Sequence, residues 1–324
     1  RSLESFLESR YHIRDLSLID ERRRLLREPN IISREPFIET TPMYQLGDPY
    51  IDLSLPEIVK STFSDLSKLV PGVGFYERPY LHQAKALEAF FDREADVIVA
   101  TGTGSGKTEV FLFSILGSLL VEASQRPESY TENACRALLL YPTNALVNDQ
   151  VSRLRRLFGD DRIAELFNSR FFRNPLFGMY TSRTPYPGVR ENRKDSERLA
   201  PIINYYIDLL SRCDTDPVVR TLVESLKDRG RWPAKDILGF YGYSNSSMGE
   251  RFLTQDDDRE LFTRHEIHEK TPDLLVTNYS MLEYMLLRPI EQSIFDSTVE
   301  WLKKDERNQF VLVLDEAHTY RGAA

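Results

Sequence analysis

The 324-residue sequence is short of cysteine and of long apolar runs, and each shortage excludes a class of protein. Its two cysteines, Cys135 and Cys213, lie far apart and do not combine with the five histidines at zinc-ligand spacing. This usage argues against a structural zinc site and is typical of a reducing, cytoplasmic compartment. The longest apolar run, residues 110–121, is too short to span a bilayer, and the sequence shows no signal peptide. We therefore expect a cytoplasmic protein without a membrane partner.

The sequence also lacks an excess of positive charge. Lysine and arginine number 42 against 50 acidic residues, for a net charge of −8. A uniformly basic nucleic-acid coat is thus excluded, whereas a local basic groove is not, because binding depends on patches of charge and not on their sum. Hydrophobic residues make up 41% of the chain, which is enough for a sizeable core and excludes wholesale disorder.

The sequence pattern changes near residue 75. Residues 1–74 are expected to form an N-terminal accessory segment, with helices over 9–27 and 56–69 joined by a proline-rich extended arm. Residues 75–324 alternate short apolar runs with helical segments, which predicts an α/β fold with a mostly parallel sheet covered by helices on both faces. Residues 185–271 are too long for an ordinary crossover, so we expect an inserted, mainly helical subdomain there. The predicted strands are 96–100, 136–141, 176–180, 273–277 and 310–314, and the predicted helices are 80–92, 107–123, 144–158 and 279–288.

A glycine-rich segment, ATGTGSGKT at residues 100–108, follows the first predicted strand and opens a predicted helix. Glycines there let backbone N–H groups turn inward and hold phosphate oxygens. Lys107 brings a positive charge to the β- and γ-phosphates, and the Thr108 hydroxyl ligates Mg²⁺. Thr101 departs from the common pattern, which has glycine at that place. The segment predicts a site for ATP and Mg²⁺, with the nucleotide held by Thr103, Gly104, Ser105, Gly106, Lys107 and Thr108.

A second motif, Asp315-Glu316-Ala317-His318, directly follows the last predicted strand. An acid at the carboxyl end of a buried strand lies beside the phosphate loop in this kind of sheet. We expect Asp315 to hold Mg²⁺, Glu316 to orient and deprotonate the attacking water, and His318 to sense the γ-phosphate. Together with Lys107, these three residues form the predicted catalytic set.

In this order, the two motifs resemble those of the first RecA-like lobe of superfamily 2 DEAD/DEAH-box helicases. The resemblance covers residues 75–184 and 272–324. Residues 75–83 resemble the Q motif, which implies that Gln83 reads the adenine edge. The loops after three of the predicted strands resemble those that grip a nucleic-acid backbone, through Pro142, Thr143, Asn144, Thr181, Arg183, Thr277 and Asn278. The resemblance also implies a second RecA-like lobe, absent from this chain, that supplies an arginine to the ATP site.

A finer resemblance concerns one branch of these helicases. The segments LHQ at 81–83, NYSMLEYM at 278–285 and DEAHTYRG at 315–322 resemble helicases of bacterial phage-defence systems of the Druantia and DISARM types. They also resemble related RecQ-like repair helicases. The resemblance implies a DNA substrate, either single-stranded or a duplex with a single-stranded tail, and partner subunits of a defence system.

Other functions stay open at this point. An RNA helicase is one, because the DEAH box also occurs there. A nucleotide-gated nucleic-acid-binding scaffold without productive hydrolysis is another, although the intact Lys107, Asp315 and Glu316 argue against it. A phosphate-loop kinase is disfavoured, since it has no use for the backbone-gripping loops. The basic residues around the predicted strands form either a solvated face or, together, a groove: Arg153, Arg155, Arg156, Arg170, Arg173, Arg183, Arg190, Arg193 and Lys194.

Overall fold

The computed structural model describes residues 2–32, 43–69, 74–93, 95–102, 104–171, 173–185, 192–242 and 254–320. The chain divides into two compact units, residues 1–44 and residues 45–324. The division therefore falls earlier than residue 74, where the accessory segment was expected to end. None of the helices in the described ranges is long and apolar enough to cross a membrane.

The first unit contains two helices, α1 (Ser2–Arg10) and α2 (Leu16–Leu26). The sequence predicted one helix over 9–27, and the chain instead breaks before Asp15. The Asp15 carboxylate accepts hydrogen bonds from two N–H groups in the first turn of α2, which is the usual role of an aspartate that starts a new helix. Arg23 of α2 lies 2.7 Å from Glu8 of α1, so an ion pair joins the two helices.

The second unit is built around a five-stranded sheet. Its strands are β1 (Ala137–Tyr141), β2 (Phe177–Tyr180), β3 (Glu260–Leu261), β4 (Leu274–Asn278) and β5 (Val311–Leu314). They lie in the order β3-β2-β4-β1-β5, and every pairing among the described residues is parallel. This confirms the predicted α/β fold. The helices are α3 (Glu57–Leu69), α4 (Leu81–Phe91), α5 (Lys107–Gln125), α6 (Pro127–Thr131), α7 (Asn144–Phe158), α8 (Asp161–Phe171), α9 (Asn192–Cys213), α10 (Pro217–Asp228), α11 (Ile237–Tyr241), α12 (Arg264–Glu269), α13 (Tyr279–Leu287) and α14 (Gln292–Lys304).

The prediction of a strand at residues 96–100 is wrong. These residues are irregular, and the Ile98 side chain is 94% exposed. A strand needs a neighbour for its backbone hydrogen bonds, and within the described ranges no strand lies beside this segment. The edge strand on that side of β1 is β5, whose Leu312 and Leu314 are about half exposed. An apolar run in the sequence predicts burial. Whether it forms a strand depends on backbone hydrogen bonds to residues that lie far away in the sequence.

Residues 45–69 join the second unit through an aromatic cluster. Tyr50 and Phe63 are fully buried, with ring centroids 5.4 Å apart. Phe63 lies 5.2 Å from Phe75, and Phe75 stacks on Phe113 of α5 at 4.2 Å. Aromatic pairs at such distances stabilise a core beyond the area that they bury. The cluster thus anchors the chain before residue 75 to the helix that follows the glycine-rich segment.

The predicted insertion is only partly a separate subdomain. Helices α9, α10 and α11 carry two apolar clusters of their own. After these helices the chain returns to the sheet: β3 pairs with β2, and α12 contacts β3. Lys235 is fully buried there and pairs with Asp258 and, at 2.7 Å, with Glu266. A buried lysine between two carboxylates joins the end of the insertion to α12 and the sheet edge.

A buried ion network ties together the amino ends of the central strands. Arg136 lies 2.6 Å from Glu122 of α5 and 2.9 Å from Asp273, which precedes β4. Arg173, just before β2, lies 2.6 Å from the same aspartate. Burial raises the pKa of Asp273, but the charges and hydrogen bonds of Arg173 and Arg136 outweigh it and hold that pKa below its ordinary value. The network lies at the sheet end opposite the predicted site.

Candidate nucleotide site and nucleic-acid edge

The glycine-rich segment forms a tight turn at the start of α5. Gly104 and Gly106 have φ angles of 77° and 78°, in the left-handed region that favours glycine. A Cβ on Gly106 would lie 2.4 Å from the Gln83 amide nitrogen, whereas the space around Gly104 is open to 4 Å. The Lys107 ammonium donates to the Thr101 carbonyl at 2.7 Å. The predicted binding residue Thr103 lies outside the described residues.

These features fit a phosphate ligand. An open backbone turn at a helix N-terminus presents N–H groups and the positive end of the helix dipole. Ser105 is buried and shares a 2.6 Å hydrogen bond with the Thr101 hydroxyl, so it stiffens the turn. Lys107 and Thr108 occupy the first turn of α5, directly after this turn.

Gln83 braces the loop from α4. Its amide oxygen accepts a hydrogen bond from the Tyr80 N–H at 2.9 Å, and its amide nitrogen donates to the Gly106 carbonyl at 3.0 Å. The side chain is buried. The role expected from the resemblance, reading the adenine edge, stays a prediction, and the structure gives Gln83 a bracing contact that sequence reasoning missed.

The acidic motif follows β5 at the same end of the sheet. The Asp315 N–H donates to the Leu140 carbonyl at 3.1 Å, which continues the β1–β5 ladder by one residue. Burial and the adjacent Glu316 carboxylate raise the pKa of Asp315, against the charges of Lys107 and Arg153. That Lys107 and Asp315 face one site stays a prediction. Carboxylate and hydroxyl oxygens such as those of Asp315 and Thr108 are the ligands that Mg²⁺ prefers.

Glu316 has an unusual backbone. Its φ of 50° and ψ of 47° are left-handed, which costs a non-glycine residue about 1–2 kcal/mol. Such outliers concentrate at functional sites. Its carboxylate lies 3.4 Å from the His318 ring, and His318 is mostly exposed. The His318 ring thus lies beside Glu316, and a common catalytic site with Lys107 stays a prediction.

Three strand ends form a continuous polar edge beside this site. The Asn278 amide donates to Asn144 at 2.6 Å, and the Asn144 amide nitrogen lies 3.5 Å from the Ser182 hydroxyl. Asn278 also caps α13, and the exposed Thr143 caps α7 next to Pro142. Side-chain amides and helix N-termini are common partners of backbone phosphates. Ser182 is a member of this edge that sequence reasoning missed.

Two predicted contact residues are buried. The Thr277 hydroxyl donates to the Tyr180 carbonyl at 2.6 Å, and Thr181 accepts a hydrogen bond from the Arg183 N–H at 3.1 Å. Neither threonine is more than 1% exposed, so both hold the strand ends in place. Arg183 itself is exposed. Arg264 of α12 donates to the Thr181 carbonyl at 2.7 Å and was not predicted, because it lies within the expected insertion, 83 residues away from Thr181 in the sequence.

Several of the basic residues are paired with acids, and whether they form a solvated face or a groove stays open. Four of them pair with acids inside the unit: Arg153 with Glu109, Arg155 with Glu260, Arg170 with Asp65, and Arg173 with Asp273. Arg190 lies outside the described residues, and so do the side chains of Arg193 and Lys194. An arginine count from sequence misses these pairings, because the acids lie far away along the chain.

Three features define the class of protein: a parallel sheet, a glycine loop that opens a helix, and an acidic motif that follows a strand of the sheet. The chain contains a RecA-like phosphate-loop domain.

Comparison with known proteins gives the family. Residues 80–170 match the DEAD/DEAH box helicase family. The chain is 48% identical to the Druantia protein DruE of Escherichia coli, over 99% of this chain and 18% of DruE. It is 37% identical to an uncharacterized ATP-dependent helicase of Methanocaldococcus jannaschii, over 28% of this chain and 11% of that protein. The chain belongs to the DEAD/DEAH box helicases.

Two further findings concern a more distant relative and the solved structures. The ATP-dependent RNA helicase DBP9 of Debaryomyces hansenii is 32% identical over 28% of this chain and 14% of its own length. No solved structure matches the chain. The chain thus spans less than a fifth of the length of each of these relatives.

Proposed function

We propose that the chain is the first motor lobe of an ATP-driven DNA helicase or translocase of superfamily 2. One observation carries the proposal: Asp315 and the polar edge Asn278–Asn144–Ser182 lie at the carboxyl ends of adjacent strands of one parallel sheet, in a chain whose glycine loop opens α5. An ATP site beside a backbone-binding edge is what a motor on nucleic acid requires. The two other candidate functions remain as outcomes of the test.

The chemistry follows from the residues at the site. The loop N–H groups and Lys107 bind the phosphates of ATP, and the Glu316 carboxylate accepts the proton of the attacking water. Asp315 and Thr108 hold Mg²⁺, which, when bound, neutralises charge on the phosphates. His318 lies next to Glu316 and is positioned to respond to its change in charge.

DNA is favoured over RNA by similarity and not by the chemistry of the edge. Amides, hydroxyls and helix N-termini contact phosphates and carry little base information. The resemblance of residues 81–83, 278–285 and 315–322 to defence helicases implies DNA, and the 48% identity to the Druantia protein supports a role in bacterial phage defence. We further propose a cytoplasmic protein that works with partner subunits. The similarity to DBP9 supports RNA, but it covers 28% of the chain.

The test is the steady-state ATPase rate of the whole protein with no nucleic acid, with single-stranded DNA and with RNA of the same sequence and length. We expect DNA to stimulate hydrolysis and RNA to do so much less. Stronger stimulation by RNA would make the protein an RNA helicase. A rate at background in all three conditions, with ATP bound, would support the scaffold function. Lys107→Ala is the control, because its site cannot hold the phosphates well.

A further inference from the structure

Two side chains outside the predicted site connect the glycine loop with the helix of the nucleic-acid edge. Glu109 lies in the first turn of α5, directly after Thr108. Its Oε1 accepts a hydrogen bond from Nη1 of Arg153 on α7 at 3.3 Å. Both side chains are sheltered, with exposed fractions of 25% and 33%. The pair bridges residues that are 44 positions apart in the sequence.

Glu109 rests against the loop itself. Its Oε2 lies 3.2 Å from the position that a Cβ on Gly106 would take. A cavity of about 610 Å³ opens beside the loop, and its lining includes Gly104, Gly106, Glu109 and Arg153. A phosphate ligand bound at this loop brings negative charge next to the Glu109 carboxylate. Because like charges in a sheltered site repel strongly, that carboxylate then depends more on the Arg153 cation.

Arg153 can pass such a change to the nucleic-acid edge. It lies on α7, whose first residue, Asn144, is the centre of the polar edge. At 1.5 Å per residue, the two positions are roughly 13 Å apart along the helix axis. The buried face of α7, which includes Val147, Val151 and Leu154, packs in the core, so the helix moves as a unit.

We propose that the Glu109–Arg153 ion pair couples the nucleotide site to the nucleic-acid edge. ATP at the loop strengthens the pair and draws α7 into the position in which Asn144 meets the backbone of DNA. DNA on the edge holds α7 and keeps Arg153 beside Glu109, so each ligand binds more tightly in the presence of the other. The inference rests on the proposed function, and Glu109 and Arg153 are positioning residues that touch neither ligand.

The experiment measures a coupling factor in the whole protein. This factor is the Kd of a non-hydrolysable ATP analogue without single-stranded DNA, divided by its Kd with DNA. The reciprocal experiment, the Kd of DNA with and without the analogue, must give the same factor. The variants are Glu109→Gln, Arg153→Gln, their double variant and Arg153→Lys. Arg156→Gln is the matched control, because Arg156 lines the same cavity from the same helix.

We expect each single glutamine variant to lower the coupling factor by about 3–10-fold, within the range of typical couplings. The double variant should be no worse than either single one, because both remove the same interaction. Arg153→Lys should keep most of the coupling, since only one guanidinium nitrogen lies within hydrogen-bond distance of Glu109. The control Arg156→Gln should leave the coupling factor within about 2-fold of the wild type.

Three results would overturn the inference. One is an unchanged coupling factor in both single variants, and another is a double variant whose loss is the product of the two single losses. The third is weaker binding of each ligand measured alone with the coupling intact, which would make the pair a structural brace. If the glutamine variants fail to fold, Glu109→Asp decides: it keeps the charge but shortens the reach to Arg153, so the coupling factor should fall, and an unchanged factor would overturn the inference. A wild type without coupling and without DNA-stimulated hydrolysis would instead contradict the proposed function.

Discussion

Glu316 is the residue at which the proposed chemistry is most directly tested. We expect Glu316→Gln in the whole protein to lower the hydrolysis rate by about 10²–10⁴-fold, because glutamine cannot accept the proton of the attacking water. ATP binding should persist, since glutamine keeps the shape of the side chain. Its left-handed backbone is equally open to glutamine, so the fold should not change. Single-turnover hydrolysis and equilibrium nucleotide binding measure the two effects separately.

Lys107→Ala is the companion variant and should behave in the opposite way. It removes the charge that meets the phosphates, so the affinity for ATP falls before any chemistry takes place. A Glu316→Gln enzyme that still hydrolyses ATP at the wild-type rate would exclude Glu316 as the base. Weak nucleotide binding in both variants would mean that Glu316 also helps to hold the ligand.

Asp273 makes a residue-level prediction about stability. Removing one partner of a buried ion network leaves the others unpaired, so Asp273→Asn should lower the free energy of unfolding by about 3–5 kcal/mol at neutral pH. Because the folded-state pKa of Asp273 lies below its unfolded value, its contribution is complete above that unfolded value and is lost as the pH falls through the folded one. The difference between variant and wild type should therefore shrink below about pH 4.

Urea unfolding at several pH values measures this difference. Asp65→Asn is the control, because Asp65 forms an exposed pair with Arg170 and should change stability by less than about 1 kcal/mol. An Asp273→Asn difference that stays constant down to acid pH would show that lost packing, and not lost charge, destabilises the variant.

Among the elements, the helices of the insertion give the clearest prediction. Helix α9 packs on α10, and α10 lies beside α7, where Gly230 approaches the Ser152 carbonyl so closely that a side chain could not fit. We expect that replacing residues 192–228 by a flexible Gly/Ser linker weakens DNA binding and leaves ATP affinity unchanged. The deletion stops before Lys235, because that lysine neutralises two buried carboxylates.

Fluorescence anisotropy with labelled DNA and with a labelled nucleotide measures both affinities on the same sample. A parallel loss of ATP affinity would mean that α9 and α10 belong to the motor core. A separate Lys235→Ala variant shows what unfolding of this region looks like, since it leaves Asp258 and Glu266 buried without their cation.

At the scale of the whole molecule, we propose that the second unit, residues 45–324, supplies one wall of an ATP site. The resemblance implies that a second lobe supplies an arginine, and such arginines contribute about 10³–10⁵-fold to the rate. A half-site also leaves water around the phosphates, which weakens every electrostatic contact. We expect residues 1–324 alone to bind ATP and Mg²⁺ weakly and to hydrolyse almost none, with or without single-stranded DNA. A phosphate-release assay tests this, and turnover near one per second would mean that the missing wall comes from within the chain.

Features that depend on neighbouring residues were predictable from the sequence. Helix α7 begins and ends where its pattern predicts, and α5 starts at Lys107 as the glycine loop requires. Four of the five predicted strands lie within one or two residues of their predicted limits. Periodicity, caps and glycines act within a few residues, so a local pattern is enough to identify them.

Features that join residues far apart in the sequence could be seen only in the tertiary structure. Residues 96–100 have the composition of a strand but no neighbour to pair with, and the Thr181 and Thr277 hydroxyls turn inward to support the strand ends. The Glu109–Arg153 pair forms because the fold brings the first turn of α5 within reach of an arginine on α7. The sequence lists the arginines, but only the fold decides which of them has an acid beside it. In the same way, an apolar run becomes a strand only when another strand completes its backbone hydrogen bonds.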